Sequence, residues 1–355
     1  MMKMMLGALL GFGAERNALL DTMLAEHDAK VFGLEGLIHP PPDADARNSF
    51  TSSVPFGQTS MARFTPSQRM RVGPTMFRLM REMSRSARFY RRPKEPKRRE
   101  AEPELIEELK ALAQEHGATA VRYAVLPDDC IFEGKAVPYR SVIIYTVQMS
   151  KEALDTAPSF EAFHEVAQGY LRMAVIGNRV TALLRRRGHD AYPGTALGGL
   201  TDYTRLAELA GLGTIGYHGL LITPGEGALL RLNTIYTSVD NLPIEPRAAS
   251  LDWVRDFCAM CGKCVRSCPV DAIHPEPIRR DNGRVECIET TTCLDYFAAN
   301  YGCAICADVC PFTQRGFDVI QQRFKGNPTA PRYRVPLYGE RPPHVGPKPP
   351  QGIVQ

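Results

Sequence analysis

Cys258-Ala-Met-Cys261-Gly-Lys-Cys264-Val-Arg-Ser-Cys268-Pro269 is the stretch on which the reading of this chain turns. Its spacing, C-x2-C-x2-C-x3-C-P, lets three thiolates from one tight loop bind three corners of an iron–sulfur cubane, while the fourth cysteine points toward a different cluster. A shorter run follows, Cys303-Ala-Ile-Cys306-Ala-Asp-Val-Cys310-Pro311. It lacks one upstream cysteine, because Asn300-Tyr301-Gly302 stands before it; Cys293 is the nearest replacement and Cys287 the reserve. The expected assignment is one [4Fe-4S] cluster on Cys258, Cys261, Cys264 and Cys310, and a second on Cys268, Cys293, Cys303 and Cys306. Paired C-x2-C units also make zinc sites, but the full ferredoxin-type spacing, repeated in truncated form, favours iron.

The rest of the composition agrees with a cofactor rather than a disulfide framework. Nine of the ten cysteines lie between Cys258 and Cys310, the tenth being Cys130, whereas disulfides staple small secreted domains throughout. A chain of 355 residues has room for about two domains. Forty-three basic against 39 acidic side chains, net +4, exclude a polycation. No apolar run approaches the ~20 residues of a membrane span. The apolar opening Met4–Gly13 is too short, and no export signal is legible, so a cytoplasmic location is expected.

Four regions follow from the pattern. Residues 1–100 form a poorly defined basic extension: Asn17–Leu24 is weakly helical, His39–Phe64 is loop, and Arg78–Arg99 holds ten Lys and Arg against two Glu. That charge run reads as a solvated linker, with a footprint for nucleic acid or anionic lipid as the sharper alternative. Residues 101–250 alternate helices and strands, an α/β or α+β core. There Leu105, Ile106, Leu109 and Leu112 have helical spacing before a capping Gly117, and Val121–Leu126 and Ser141–Met149 read as strands. An apolar stripe from Phe163 to Val175 continues as a helix to Arg187 and Gly188, and Gly219–Ile222 and Leu230–Thr237 are further strands. Residues 251–318 carry the cysteines, and 319–355 form a Pro-rich tail. Gly211-Leu-Gly213-Thr-Ile-Gly216 matches G-x-G-x-x-G literally, but a helix precedes it and a strand follows, the reverse of a dinucleotide fingerprint. Its glycines are expected to let the backbone turn sharply or approach a flat ligand.

Ala210-Gly-Leu-Gly213, Gly216, Gly219-Leu-Leu-Ile-Thr-Pro224, Gly227 and Arg231-Leu232, followed by the split cysteine motif, resemble the reductive dehalogenase and epoxyqueuosine reductase superfamily from Pro103 to Phe312. The wording of the glycine segment and the short end look more like the reductive dehalogenase branch. The resemblance implies a nitroreductase-like core binding base-off cobalamin, followed by a bacterial two-[4Fe-4S] ferredoxin-like module. It places Gly211, Gly213, Gly216, His218, Leu220, Leu221 and Gly227 at the cobalamin, with Tyr170 as proton donor and Arg231 as its partner. The implied activity is reductive cleavage of a C–halogen or C–O bond of a small molecule through Co(I) cobalamin, with ferredoxin or flavodoxin as electron donor. Two alternatives remain: an epoxyqueuosine reductase-like enzyme that uses Arg78–Arg99 on tRNA, and a non-catalytic electron carrier. One departure bears on the choice. The Asn or Asp that both branches place after Gly188–Pro193 is missing from Gly194-Thr-Ala-Leu-Gly-Gly199.

Overall fold

The computed structural model describes residues 29–49 and 59–329, apart from 197, 246–250, 325 and 328. The expected helix Asn17–Leu24 and the Pro-rich tail beyond residue 329 lie outside the described residues.

Four strands build the central sheet: β1 (Ala120–Val125), β2 (Ser141–Gln148), β3 (Ala191–Pro193) and β6 (Leu230–Thr237), in the order β1-β2-β6-β3. All three pairings are antiparallel. β2 therefore lies inside the sheet, as its run of β-branched residues predicts. The run is continuous because both faces are covered. Ile143, Tyr145 and Val147 face α2 (Pro103–Glu115) and the long α4 (Phe160–Arg186), packing with Leu109, Met173 and Ile176. Val142 and Ile144 point the other way, into a second core with Leu206 and Ala207 of α5 (Tyr203–Leu209). Gly117 and Gly188 close α2 and α4 in the left-handed region, at φ +97° and +91°.

The basic extension is corrected by the structure. Much of Arg78–Arg99 is not linker but the C-terminal half of α1 (Pro66–Arg91), a 26-residue helix. Its start has a capping box: the Thr65 hydroxyl accepts from the Gln68 amide at 3.3 Å, and the Gln68 side chain accepts from the Thr65 amide at 3.0 Å. Its inner face buries Leu79 and Met83 against Leu171 and Ala174 of α4. Between the two helices, Ser86 donates to the Asn178 carboxamide oxygen (2.9 Å), and the Asn178 amide donates to Glu82 Oε2 (3.1 Å). The apolar positions were diluted by arginine, which hid the stripe in the sequence.

After the short α3 (Lys151–Leu154) and the two-residue strands β4 (Thr214–Ile215) and β5 (Leu221–Ile222), the chain enters the cysteine region. This comprises α6 (Trp253–Cys261), α7 (Lys263–Arg266), the hairpin β7 (Ile273–Arg279) and β8 (Val285–Ile288), α8 (Thr290–Ala299), α9 (Ile305–Asp308) and α10 (Pro311–Arg315). The expected boundary at 318 falls inside α11 (Phe317–Phe324), whose Phe317, Ile320 and Phe324 pack with Phe257 and Trp253 of α6. The module therefore extends to Phe324 because an aromatic core holds that helix.

Candidate iron–sulfur and catalytic site

The cysteine loops are shaped by backbone that few residues adopt. α6 ends at Gly262 in the left-handed region (φ +54°), which turns the chain so that Cys258, Cys261 and Cys264 follow one tight bend. On the second loop Tyr301, Gly302, Cys303 and Ala304 all have positive φ, at +52°, +78°, +43° and +71°. Three of these carry a Cβ, and such a run persists only where surrounding structure over-determines it.

The expected ligands crowd together, with Cys258, Cys261 and Cys310 in one packed cluster and Cys264, Cys268, Cys303 and Cys306 in the next. Burial pushes the Cys258 thiol up to about 12, with Cys261 among its electrostatic neighbours. Cys264 and Cys310 are raised mainly by burial and both feel Cys258 and Cys261. In the second expected set, burial raises Cys293 to about 11 and Cys303 to about 12; Cys293 feels Cys268, and Cys303 feels Cys293 and Cys268. Cys306 feels Cys303, Cys293 and Cys268, and also Cys264 of the first expected set. Cys287 is also an electrostatic neighbour of Cys258, but its thiol donates to the Gly216 carbonyl at 3.4 Å and packs in the core under the sheet. Among the described residues no three metal-ligating side chains converge on one ion-sized point. A cubane spreads its thiolates over separate iron corners, so the soft donors, gathered from both cysteine runs and from α8, fit that group. Three of the first expected set, Cys258, Cys264 and Cys310, are buried, whereas all four of the second are partly exposed.

The expected catalytic pair also meets. Tyr170 on α4 and Arg231 on β6 are stacked, the guanidinium carbon 5.1 Å from the ring centroid. Gly169 permits this approach, since a Cβ there would lie 3.3 Å from Arg231 Cγ. Arg231 Nε is buried with no hydrogen-bond partner among the described residues.

The glycine segment is a different matter. Gly211 does turn the chain at φ +77°. At Gly213, however, a Cβ would sit 2.2 Å from the Ile222 carbonyl oxygen, and at Gly216 2.6 Å from Ile222 Cδ1. Gly213 is required by the β4–β5 hairpin itself, whereas at Gly216 the contact is with the end of the Ile222 side chain. A Cβ on Gly227 would sit 2.6 Å from the Phe312 carbonyl oxygen, so this glycine lets the core meet the cysteine module. Leu221 is buried in the core beneath the sheet, while Leu220 is partly exposed. Gly213 and Gly227 thus have a second reason to be glycine beside the expected flat ligand, because the protein's own backbone takes the space a side chain would fill. His218 keeps a reason of its own. Its Nδ1 accepts from the Leu220 amide at 3.1 Å, its Nε2 is buried with no partner, and burial lowers its pKa to about 4. The orphaned Nε2 of His218 is the observation that fits a polar-rimmed cofactor beside this segment.

Two features had no signal in the sequence. Asn233, buried on β6, donates to the Gly194 carbonyl at 3.4 Å, so an amide reaches the loop where none occurs in sequence. A polar seam ties the module to the core. Gln314 Nε2 lies 2.8 Å from both Asp155 Oδ1 and Asp308 Oδ1, and Lys151 donates to Gln314 Oε1 at 3.1 Å. Arg255 and Glu208 close the opposite side at 2.6 Å.

Fold and site together define a mixed α/β protein with a 4Fe-4S binding domain, to whose family residues 251–274 match. The chain is 31% identical over 188 residues to the tetrachloroethene reductive dehalogenase of Dehalobacter restrictus, covering 49% of this chain and 33% of that protein. It is 36% identical over 114 residues to the epoxyqueuosine reductase of Synechococcus sp. strain RCC307, covering 30% and 33% respectively. A variant of the catabolic reductive dehalogenase NpRdhA shares the fold at a TM-score of 0.61 and 19% identity, over 79% of this chain and 43% of that one. The chain is thus similar to both reductive dehalogenases and epoxyqueuosine reductases, with the longer matches to the reductive dehalogenases. It spans about a third of the length of the curated relatives it matches.

Proposed function

We propose that this chain is a reductive dehalogenase-like reductase of a small molecule, dependent on cobalamin and two [4Fe-4S] clusters and cleaving a C–halogen or C–O bond. The stacking of Arg231 on Tyr170 carries the reading, because two residues distant in sequence form the kind of pair that proton delivery requires. Cys258, Cys261, Cys264 and Cys310 would hold one cluster, and Cys268, Cys293, Cys303 and Cys306 the other. His218 and Arg231 would face the cobalamin. Bound there, the clusters would supply one-electron relay and the cobalamin a reducible cobalt.

The chain's own part is to hold a proton and exclude water. Tyr170 keeps its proton on the phenol oxygen until negative charge develops on the substrate. The Arg231 guanidinium lies over the ring that would deliver the proton. Leu171, Ala174 and Ala196, with the methionines of α1, form an apolar wall beside Tyr170, and a dry wall strengthens the charge interaction. Ferredoxin or flavodoxin as donor and a cytoplasmic location belong to the same proposal. The carrier alternative draws support from the self-filled glycines, which leave less of the segment for a macrocycle.

One experiment separates them. The anaerobically reconstituted chain is titrated with cobalamin and assayed with reduced viologen on a panel of halogenated phenols and alkenes. The enzyme reading expects a shifted corrin spectrum, and Tyr170→Phe should retain that shift while losing about 10²–10⁴ in turnover. Unchanged turnover in that variant would remove Tyr170 from its role, and absent corrin binding would leave the carrier.

A further inference from the structure

The outer face of α1 has no part in the proposed reaction. Arg71, Arg78, Arg81, Arg85 and Arg88 recur at three-, four- and seven-residue intervals, so they form one stripe along a helix about 39 Å long. The opposite face, with Val72, Leu79, Met83 and Tyr90, is buried, so the stripe is held outward. Arg71 pairs with Glu161 at 3.1 Å, and Arg85 with Glu82 at 2.6 Å. Arg78, Arg88 and Arg91 make no ion pair with any described residue. Residues 66–99 hold twelve Lys and Arg against two Glu, +10, in a chain of net +4, so the remaining residues sum to −6. Positive charge is therefore concentrated in one segment of a chain that is otherwise acidic. Every cation on the helix is arginine, whose planar fork binds phosphate oxygens in pairs.

Two apolar side chains stand on this same face: Met70 is 75% exposed and Phe77 42% exposed. We propose that this face docks on an anionic phospholipid bilayer, with the arginines on lipid phosphates and Met70 and Phe77 at the headgroup–acyl boundary. The choice of lipid over nucleic acid rests on those two side chains. A bilayer takes up apolar groups lying among cations, whereas a base-paired groove offers them no comparable surface. The charges recur along one face of the helix, which suits a planar surface, and the acidic remainder of the chain is repelled by it.

The test is co-sedimentation of the full chain with vesicles of phosphatidylcholine, with and without roughly one quarter phosphatidylglycerol. Binding is expected only to the anionic vesicles and is expected to weaken at high salt. Arg78→Glu/Arg88→Glu should weaken it by about tenfold or more, and Phe77→Ser should weaken it while leaving its salt dependence unchanged. Circular dichroism of both variants reports folding. If the double variant does not fold, Arg78→Gln carries the test and should still weaken binding several-fold. Equal affinity for neutral vesicles, no binding to anionic ones, or undiminished binding by folded variants would overturn the proposal. So would tighter binding to a structured RNA that excludes the vesicles and ignores Phe77→Ser, which would assign the face to nucleic acid.

Discussion

Cys293 and Cys287 are both cysteines of the same short stretch, yet they meet different surroundings. The Cys293 thiol sits at the start of α8 and feels Cys268, whereas Cys287 donates to a main-chain carbonyl of the glycine segment. On this basis Cys293→Ser is expected to lower bound iron to about half after anaerobic reconstitution, since one cubane loses a corner. Cys287→Ser should leave iron near its full amount. The reverse result would pass the ligand role to Cys287. The cysteine spacing was sufficient to group the ligands, because a tight loop leaves little choice of partners. It could not choose between Cys293 and Cys287, which requires knowing where the β7–β8 hairpin turns back.

The helices and strands of the core were readable where one face is apolar and the other polar, as in α4. They were also readable where a run of β-branched residues is sheathed on both sides, as in β2. α1 escaped this reading because arginine fills so much of it that its apolar positions do not stand out. Its place in the fold makes a sharp distinction testable. Leu79 is almost fully buried between α1 and α4, so Leu79→Ala should destabilise the protein by about 2–5 kcal/mol in a denaturant titration. A linker in solvent would show almost no change.

Across the molecule as folded, the buried His218 links stability to pH. Burial lowers its pKa to about 4, below the ~6.5 of an exposed histidine. The unfolded chain therefore binds more protons than the folded one between those two values, and stability rises with pH across that window. The stabilisation is complete above about 6.5 and is lost progressively as pH falls toward 4. The contribution is on the order of 3 kcal/mol. Denaturant titrations at neutral and mildly acid pH should show the loss, and His218→Gln should reduce its size. An equal loss in that variant would place the acid sensitivity elsewhere.

Short-range chemistry was open to the sequence: which thiols can share a loop, which residues repeat at helical or strand period, and where glycine turns the chain. These depend on neighbours a few positions away. Contacts between distant segments were not open to it. Asn233 reaches Gly194, and Gln314 bridges Asp155 and Asp308, only because the sheet order and the packing of the module bring them together, while the pairing of Tyr170 with Arg231 was legible through the family resemblance and not through spacing. The same holds for the glycines, since Gly213 and Gly227 answer to Ile222 and Phe312. A missing side chain is equally consistent with a flat ligand or with a crossing backbone. Which one fills the space is set by long-range packing, to which local spacing carries no reference.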